Sequence, residues 1–232
     1  MKTINRYAVF FFYLGLVAIL SVGCKKEDNP DDHTGTIKDK DGNVYHAVTI
    51  GTQTWMVENL ITTKYRNGDP IPQVADDAQW AGLSTGACCF YDNNSANGST
   101  YGALYNWYAV NDPRNIAPEG WHVASMEEWN ILNTFLGGEL VSGGKLKETG
   151  TTHWDSPNTG ATDEAGFKGL PGGGRSLDGL YNSIGQSGLW WTTAESNPDN
   201  AWPRGLSYNS ALIFSSMWLD KNSGFSVRCI KD

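Results

Sequence analysis

Ser125-Met126-Glu127-Glu128-Trp129-Asn130-Ile131-Leu132-Asn133-Thr134-Phe135-Leu136-Gly137-Gly138 is the segment from which the fold class is read. Ser125 can cap a helix, and Glu128 three residues on can return the bond, a capping box. Trp129, Leu132, Phe135 and Leu136 form an apolar stripe, and the glycine pair ends it. A helix over 125–136 follows. A second helix is expected from Tyr101 to Val110, where Leu104, Trp107 and Tyr108 share a face. Past the glycine pair the pattern changes. Gly137 to Gly188 is dense in Gly, Thr, Asn and Ser, and reads as ordered loops pinned by Trp154, Phe167, Leu170 and Tyr181. Strand-like pieces follow at Leu189–Thr193, Gly205–Tyr208, Ala211–Trp218 and Phe225–Ile230. Upstream, Gly42 to Ile50 alternates apolar and polar residues, Gly51-Thr52 breaks the run, and Gln53 to Val57 resumes it, a hairpin. The sum is an α+β fold: two helices, a small antiparallel sheet and a long irregular loop region.

The N-terminus carries an address. Lys2 and Arg6 precede the apolar run Tyr7–Leu20, and Ser21-Val22-Gly23-Cys24 follows. Fourteen apolar residues rise only about 21 Å as a helix, short of the roughly 30 Å of a bilayer core. The pattern resembles a bacterial lipoprotein signal, which implies a signal peptide over 1–23, cleavage after Gly23 and a lipid on Cys24. Lys25-Lys26-Glu27-Asp28 resembles the surface-export signal of Bacteroidetes lipoproteins. The expected location is the outer membrane, exposed at the cell surface, with the periplasmic face as the alternative. Residues 24–35 are charged and nearly devoid of apolar side chains, a flexible tether. The domain proper is expected over 36–232.

Loss of the signal removes Lys2 and Arg6, so the net charge of −8 moves to about −10. Such a surface repels nucleic acid and anionic headgroups. With Cys24 taken by the lipid, Cys88, Cys89 and Cys229 are left, an odd number for an oxidising compartment. A bridge from Cys88 or Cys89 to Cys229 would tie the middle of the domain to its end, with Cys89–Cys229 the expected pairing. Three buried thiols packing as small hydrophobes are the alternative.

Binding chemistry has two candidate sets. Glu195, Asn197, Asp199 and Asn200 supply the carboxylate and amide oxygens that calcium takes, or else form a polar turn around Asn197-Pro198-Asp199. Trp154, Trp202 and Trp218 sit in polar surroundings where an indole face could stack on a sugar ring while Asn197, Asp199 and Asn200 read its hydroxyls. Trp55, Trp107, Trp121, Trp129, Trp190 and Trp191 lie on expected elements and read as core. Enzyme signals are sparse. His33, His46, His122 and His153 are scattered without zinc spacing, and His122 reads as structural. No Gly-x-Ser-x-Gly element or phosphate loop occurs. Gly172-Gly173-Gly174-Arg175 reads as a tight loop with Arg175 in an ion pair. Asp155, Asp163 and Glu164 are loop acids, and a glycosidase would need two at a set separation.

Seven ordered markers carry a family resemblance: Trp55-Met56-Val57-Glu58-Asn59-Leu60, Tyr101 to Val110, Ala117-Pro118-Glu119-Gly120-Trp121-His122-Val123, Gly143 to Lys147, Leu170 to Arg175, Trp190-Trp191-Thr192-Thr193, and Gly224-Phe225-Ser226-Val227-Arg228-Cys229. Their order resembles the Fibrobacter succinogenes major paralogous domain, common in Bacteroidetes lipoproteins. That resemblance implies a C-type lectin-like fold over nearly all of the mature chain. Members often carry a cysteine where this chain has Ala117. The Gly-Phe-x-Val-Arg ending also resembles the formylglycine-generating enzyme fold, whose copper chemistry needs separated cysteines, whereas Cys88 and Cys89 adjoin. The reading is therefore a non-enzymatic binding or adhesion module on the cell surface. It would be membrane-bound through its lipid, without nucleic acid, and would recognise a glycan or a surface protein through residues 143–200. Calcium is the one cofactor in question. A structural component of a surface assembly is the competing class.

Overall fold

A computed structural model of the chain describes residues 36–214 and 218–232. The signal peptide, Cys24 and the 24–35 tether lie outside the described residues. The architecture is mixed α/β and mostly β, with five helices and several small sheets among the described residues. In chain order the elements are β1 (Ile37–Lys38), β2 (Val44–Tyr45), β3 (Ala47–Ile50), β4 (Gln53–Met56), α1 (Asp77–Ala81), β5 (Cys88–Cys89), α2 (Ser95–Tyr101), β6 (Leu104–Tyr105), α3 (Trp107–Val110) and β7 (Trp121–Val123). Then come α4 (Met126–Phe135), α5 (Glu139–Leu146), β8 (Gly172–Arg175), β9 (Tyr181–Ile184), β10 (Ser187–Glu195), β11 (Asn200–Ser207), β12 (Ile213–Phe214), β13 (Leu219–Asp220) and β14 (Cys229–Lys231).

Two sheets organise the molecule. One runs β3-β4-β14-β7, so the C-terminal strand lies beside the N-terminal hairpin and joins the chain ends. The other runs β12-β11-β10-β8-β9, with β13 also on β11. The β3–β4 hairpin turns at Gly51-Thr52 as its sequence requires. The α4 helix carries both bonds of the capping box, and Trp129, Leu132 and Leu136 are buried. Phe135 is not; it is 62% exposed, its ring lying over Gly51 of the hairpin turn.

The expected helix over Tyr101–Val110 is corrected. Beyond Tyr101, the last residue of α2, only α3 is helical there, while Leu104 and Tyr105 form a strand on β5. Gly102 sits at φ +81°, which ends α2, and Tyr105 exchanges two backbone bonds with Phe225. Asn106 then caps α3, accepting from the Ala109 amide and also from Ala87. Tertiary pairing thus overrides a helical periodicity. The opposite correction is α5, which lies in the stretch read as loop. Its Gly143 and Gly144 weaken the helix on propensity, yet a β-carbon at either would collide with the carbonyls of Leu212 or Gly160. Close approach, not propensity, selects those glycines.

Strand limits shift as well. β11 begins at Asn200, earlier than the expected Gly205, and contains Pro203. Proline is tolerated because β13 covers only Asn200–Ala201 and β12 only Gly205–Leu206, leaving Pro203 in the uncovered stretch. The expected strand Ala211–Trp218 is β12 alone among its described residues. Within Phe225–Ile230 the regular strand is confined to the last two residues. Gly224, Phe225 and Ser226 instead bridge singly to Arg175, Tyr105 and Trp190. The Cys89–Cys229 bridge is also corrected. Cys88, Cys89 and Cys229 are free and buried. Successive strand residues face opposite sides, so Cys89 packs with Trp80 and Tyr91 in one cluster while Cys229 packs with Tyr45 and Tyr105 in another. Burial pushes the Cys229 thiol up to about 12 and those of Cys88 and Cys89 above their ordinary value.

Candidate functional site

The family markers meet in the interior. Asn59, Trp190 and Arg228 stand far apart in sequence, yet the Asn59 Oδ1 accepts from Trp190 Nε1 at 2.8 Å and from Arg228 Nη2 at 2.8 Å. Arg228 is 1% exposed and also donates to the carbonyls of Met56 (2.9 Å), Val57 and Phe167 (2.8 Å). Burial pulls its guanidinium down to about 9, against the fields of Glu58 and other anions. Carbonyl dipoles and the Phe167 face, 4.2 Å from the guanidinium carbon, take the place of a counter-ion. Arg175 lies buried between Trp80 and Tyr181 and is paired with Asp77 at 2.8 Å, the ion pair expected of it, but Gly172–Arg175 is the strand β8, paired with β9 and β10, rather than the expected tight loop. Lys147 is fully buried and donates to the carbonyls of Thr159, Ser207 and Ser210 at 2.8–2.9 Å. Burial pulls its ammonium down to about 8. These cations hold loops; none reaches solvent to meet a ligand.

The residues expected to bind ligand are not gathered into one site. Trp154 is 1% exposed and donates its Nε1 to the Gly169 carbonyl at 3.0 Å. It is a core residue of the 147–171 loops, which corrects its reading as a platform. Trp202 is half-buried on β11, and Trp218 is exposed. Asn197 Oδ1 is consumed locally, accepting from the amides of Asp199 and Asn200, both at 3.0 Å, and from the Asn200 side chain. Asp199 and Asn200 thus belong to the polar turn that was the alternative to a calcium site. The Glu195 carboxylate is held by Lys221 at 2.9 Å, whose ammonium also donates to the Pro198 carbonyl. A cation already sits where calcium would have to bind, and the Asn197 oxygen is turned inward. Among the described residues no three His, Cys, Asp or Glu side chains converge on a metal position. Of the loop acids, Asp155 and Glu164 are exposed and Asp163 is half-buried.

Concavity occurs elsewhere. A cleft of about 460 Å³ opens between Pro70–Pro72, Ser84–Gly86 and the segment Trp107–Arg114. Tyr108 presents a half-buried ring, and Asn111 is exposed beside it. Asp112 and Arg114 form a two-bond pair, with Nε and Nη2 of Arg114 donating at 2.8 Å each. The Arg114 guanidinium stacks 3.9 Å from the centre of the Tyr65 ring. Its hydrogen bonds hold the Asp112 carboxyl below the usual range, so this pair is charged at neutral pH. Ser84 and Thr85 offer exposed hydroxyls on the facing wall. A second hollow of about 250 Å³ shares Asn111 and Asp112 and continues to His122, Ser125, Glu128 and Thr193.

The cleft is positioned by scaffold bonds. Trp107 Nε1 donates to the Thr192 carbonyl at 3.0 Å, and the Trp107 amide donates to Lys221. In the second hollow, His122 donates or accepts at both ring nitrogens, with Glu128 and Asp232 each 2.7 Å away. Burial opposes its charge, but the two carboxylates outweigh it and the His122 pKa is raised. This agrees with a structural histidine. Sequence reading missed Tyr108, Asn111, Asp112 and Arg114 as a site. The available signal was the polar turn Asn111-Asp112-Pro113-Arg114 directly after an aromatic run, a place where exposed functional loops occur.

No curated protein and no solved structure matches the chain. The family model of the Fibrobacter succinogenes major domain matches residues 48–231, which takes in both sheets' main strands and the whole cleft. The chain therefore belongs to the Fibrobacter succinogenes major domain family.

Proposed function

We propose that this protein is a non-enzymatic carbohydrate-binding module, tethered to the outer membrane by a lipid on Cys24 and facing the cell exterior. The observation that carries the reading is the cleft beside Tyr108. An aromatic ring next to a carboxylate–guanidinium pair suits a sugar: the ring takes the apolar C–H face, and adjacent hydroxyls can donate to Asp112 while accepting from Arg114. Asn111, Ser84 and Thr85 add amide and hydroxyl partners around a concave, preformed space. The ligand position thus moves from the 143–200 loops to the 84–114 face. Binding is calcium-independent, because Lys221 engages Glu195 and Asn197 closes its own turn. The C-type lectin-like fold is supported by the sheet that joins the chain ends and by the long segment between α5 and β8, which lacks regular structure. The cell-surface address rests on residues 1–28 of the sequence.

A glycan-array screen with calcium and with EDTA tests this. Specific binding that persists in EDTA and is lost in Tyr108→Ala is expected. Binding abolished by EDTA would return the site to Glu195–Asn200, and binding unaffected by Tyr108→Ala would remove it from the cleft.

A further inference from the structure

The cleft at Tyr108 does not stop at its own wall. Asn111 and Asp112 line both it and the second hollow, so the two concavities, of about 460 and 250 Å³, form one continuous path. A cleft of roughly 300–1,000 Å³ holds a drug-sized molecule, so the first takes about two sugar rings and the second about one more. Along this path each cation is held between two carboxylates. Arg114 donates Nε and Nη2 to Asp112 at 2.8 Å and Nη1 to Asp69 at 3.3 Å, with its face on Tyr65. His122 lies 2.7 Å from both Glu128 and Asp232. Hydrogen bonds from Asn67 and Arg114 hold the Asp69 carboxyl below its usual range. Lys64, whose backbone bridges Pro70 at the cleft wall, is paired with Asp41 at 3.1 Å. Lys221 is buried against the cleft residue Trp107, 4.7 Å from its ring, and is paired with Glu195 at 2.9 Å. Four carboxylates therefore surround two cations, and the path is negative whether His122 is protonated or neutral.

We propose, on the carbohydrate reading of the cleft, that this path binds an extended segment of a glycan that is neutral or carries amino groups, and turns away chains bearing carboxylate or sulfate. Asn111 is exposed where the two hollows meet, placed to bond a chain passing from one to the other, and exposed Thr193 offers a hydroxyl in the second. The Nε–Nη2 fork of Arg114, the part of the side chain shaped for a carboxylate, is already spent on Asp112. An acidic sugar would have to approach Asp112 and Asp69 with their shared cation engaged, so like charges oppose it. Sugar hydroxyls meet no such opposition, because carboxylate oxygens keep lone pairs that accept from them. An ammonium group on the sugar gains from the same field.

Binding measurements on the full chain in a zwitterionic, sugar-free detergent test this. The probes are matched sets: glucose, galactose and mannose oligomers of graded length, each with its uronate and 2-amino counterpart. Affinity should rise about tenfold from disaccharide to tetrasaccharide, and uronate forms should bind at least about tenfold more weakly than neutral ones. That second difference should shrink as salt screens it. Thr193→Trp, which fills the second hollow, should abolish the gain with length. Asp69→Asn should bring uronate and neutral affinities closer by about threefold or more. Uronate chains that bind as tightly as neutral ones, or a difference that neither salt nor Asp69→Asn alters, would overturn the charge selection. A disaccharide bound as tightly as a tetrasaccharide, or a gain with length that survives Thr193→Trp, would overturn the extended path. In those cases the carbohydrate reading stands; binding of none of the sets would remove that reading and the inference with it.

Discussion

The 147–171 loops and the 111–115 turn that follows α3 are both polar and irregular, yet they do opposite things with their polar groups. In the first, Lys147, Asn158 and Trp154 turn inward and donate to backbone carbonyls, those of the same loops and, for Lys147, also Ser207 and Ser210. In the second, Asp112 and Arg114 satisfy one another at the rim while Asn111 and the Tyr108 ring of α3 face open space. Irregular chain becomes scaffold when its donors are spent on backbone carbonyls, and becomes a site when its side chains pair side by side at a concave surface. Arg228 and Arg114 show the contrast within one residue type. Both stack on an aromatic ring, but one is sealed among carbonyls and the other is exposed.

That contrast breaks first at Arg228. Arg228→Met should strip a donor from the carbonyls of Met56, Val57 and Phe167 and leave Asn59 Oδ1 with Trp190 alone, costing about 3–5 kcal/mol. Urea unfolding would show a large fall in midpoint; a change below about 1 kcal/mol would mean that the buried Arg228 guanidinium does not hold these segments together. Lys147→Met should cost somewhat less, about 2–4 kcal/mol, because three loop carbonyls lose one shared donor. Hydrogen exchange should then rise in 148–171 and around Ser207–Ser210 while α4 stays protected. Uniform loosening would contradict a local clamp.

The exposed region should behave in the reverse sense. Asp112→Asn should lower glycan affinity at least tenfold, about 1.4 kcal/mol, yet shift stability by less than about 1 kcal/mol, since its partner Arg114 is at the surface. Isothermal titration alongside thermal melting separates the two. Equal losses of both would place Asp112 with the scaffold.

The smallest effect belongs to His122. Its pKa is raised, so its contribution is full below the unfolded value of 6.5 and is lost as pH climbs through the folded value. Glu128 is lowered despite burial, mainly by its bonds from Ser125, so its contribution is present above 4.5 and is lost as pH falls through its folded value. The cluster is therefore most stabilising between about pH 4.5 and 6.5. Both groups are partly exposed, so the amplitude should be only about 0.5–1 kcal/mol. His122→Gln should flatten the alkaline side of the melting-temperature profile from pH 5 to 8; an unchanged slope would show that the histidine is not coupled to Glu128 and Asp232.

Much of this was legible residue by residue. The capping box announced α4, the Gly51-Thr52 break announced the hairpin, and the buried Trp55, Trp129, Trp190 and Trp191 were read as core. Phe135 was misplaced because periodicity counts turns without knowing that the hairpin covers only part of the stripe. Trp154 was misplaced because polar neighbours in sequence say nothing of what folds over a side chain.

By itself the sequence determined the family, the α4 helix, the N-terminal hairpin and the acidic charge, because these depend on local spacing, composition and ordered markers. Only the tertiary structure decided that Tyr105 pairs with Phe225 and leaves the helical path, that the three cysteines are buried and free, and that an open concavity lies at Tyr108 and Asp112. Those outcomes turn on which distant backbone meets which side chain, and burial and pairing over a hundred residues leave no periodic trace in the chain.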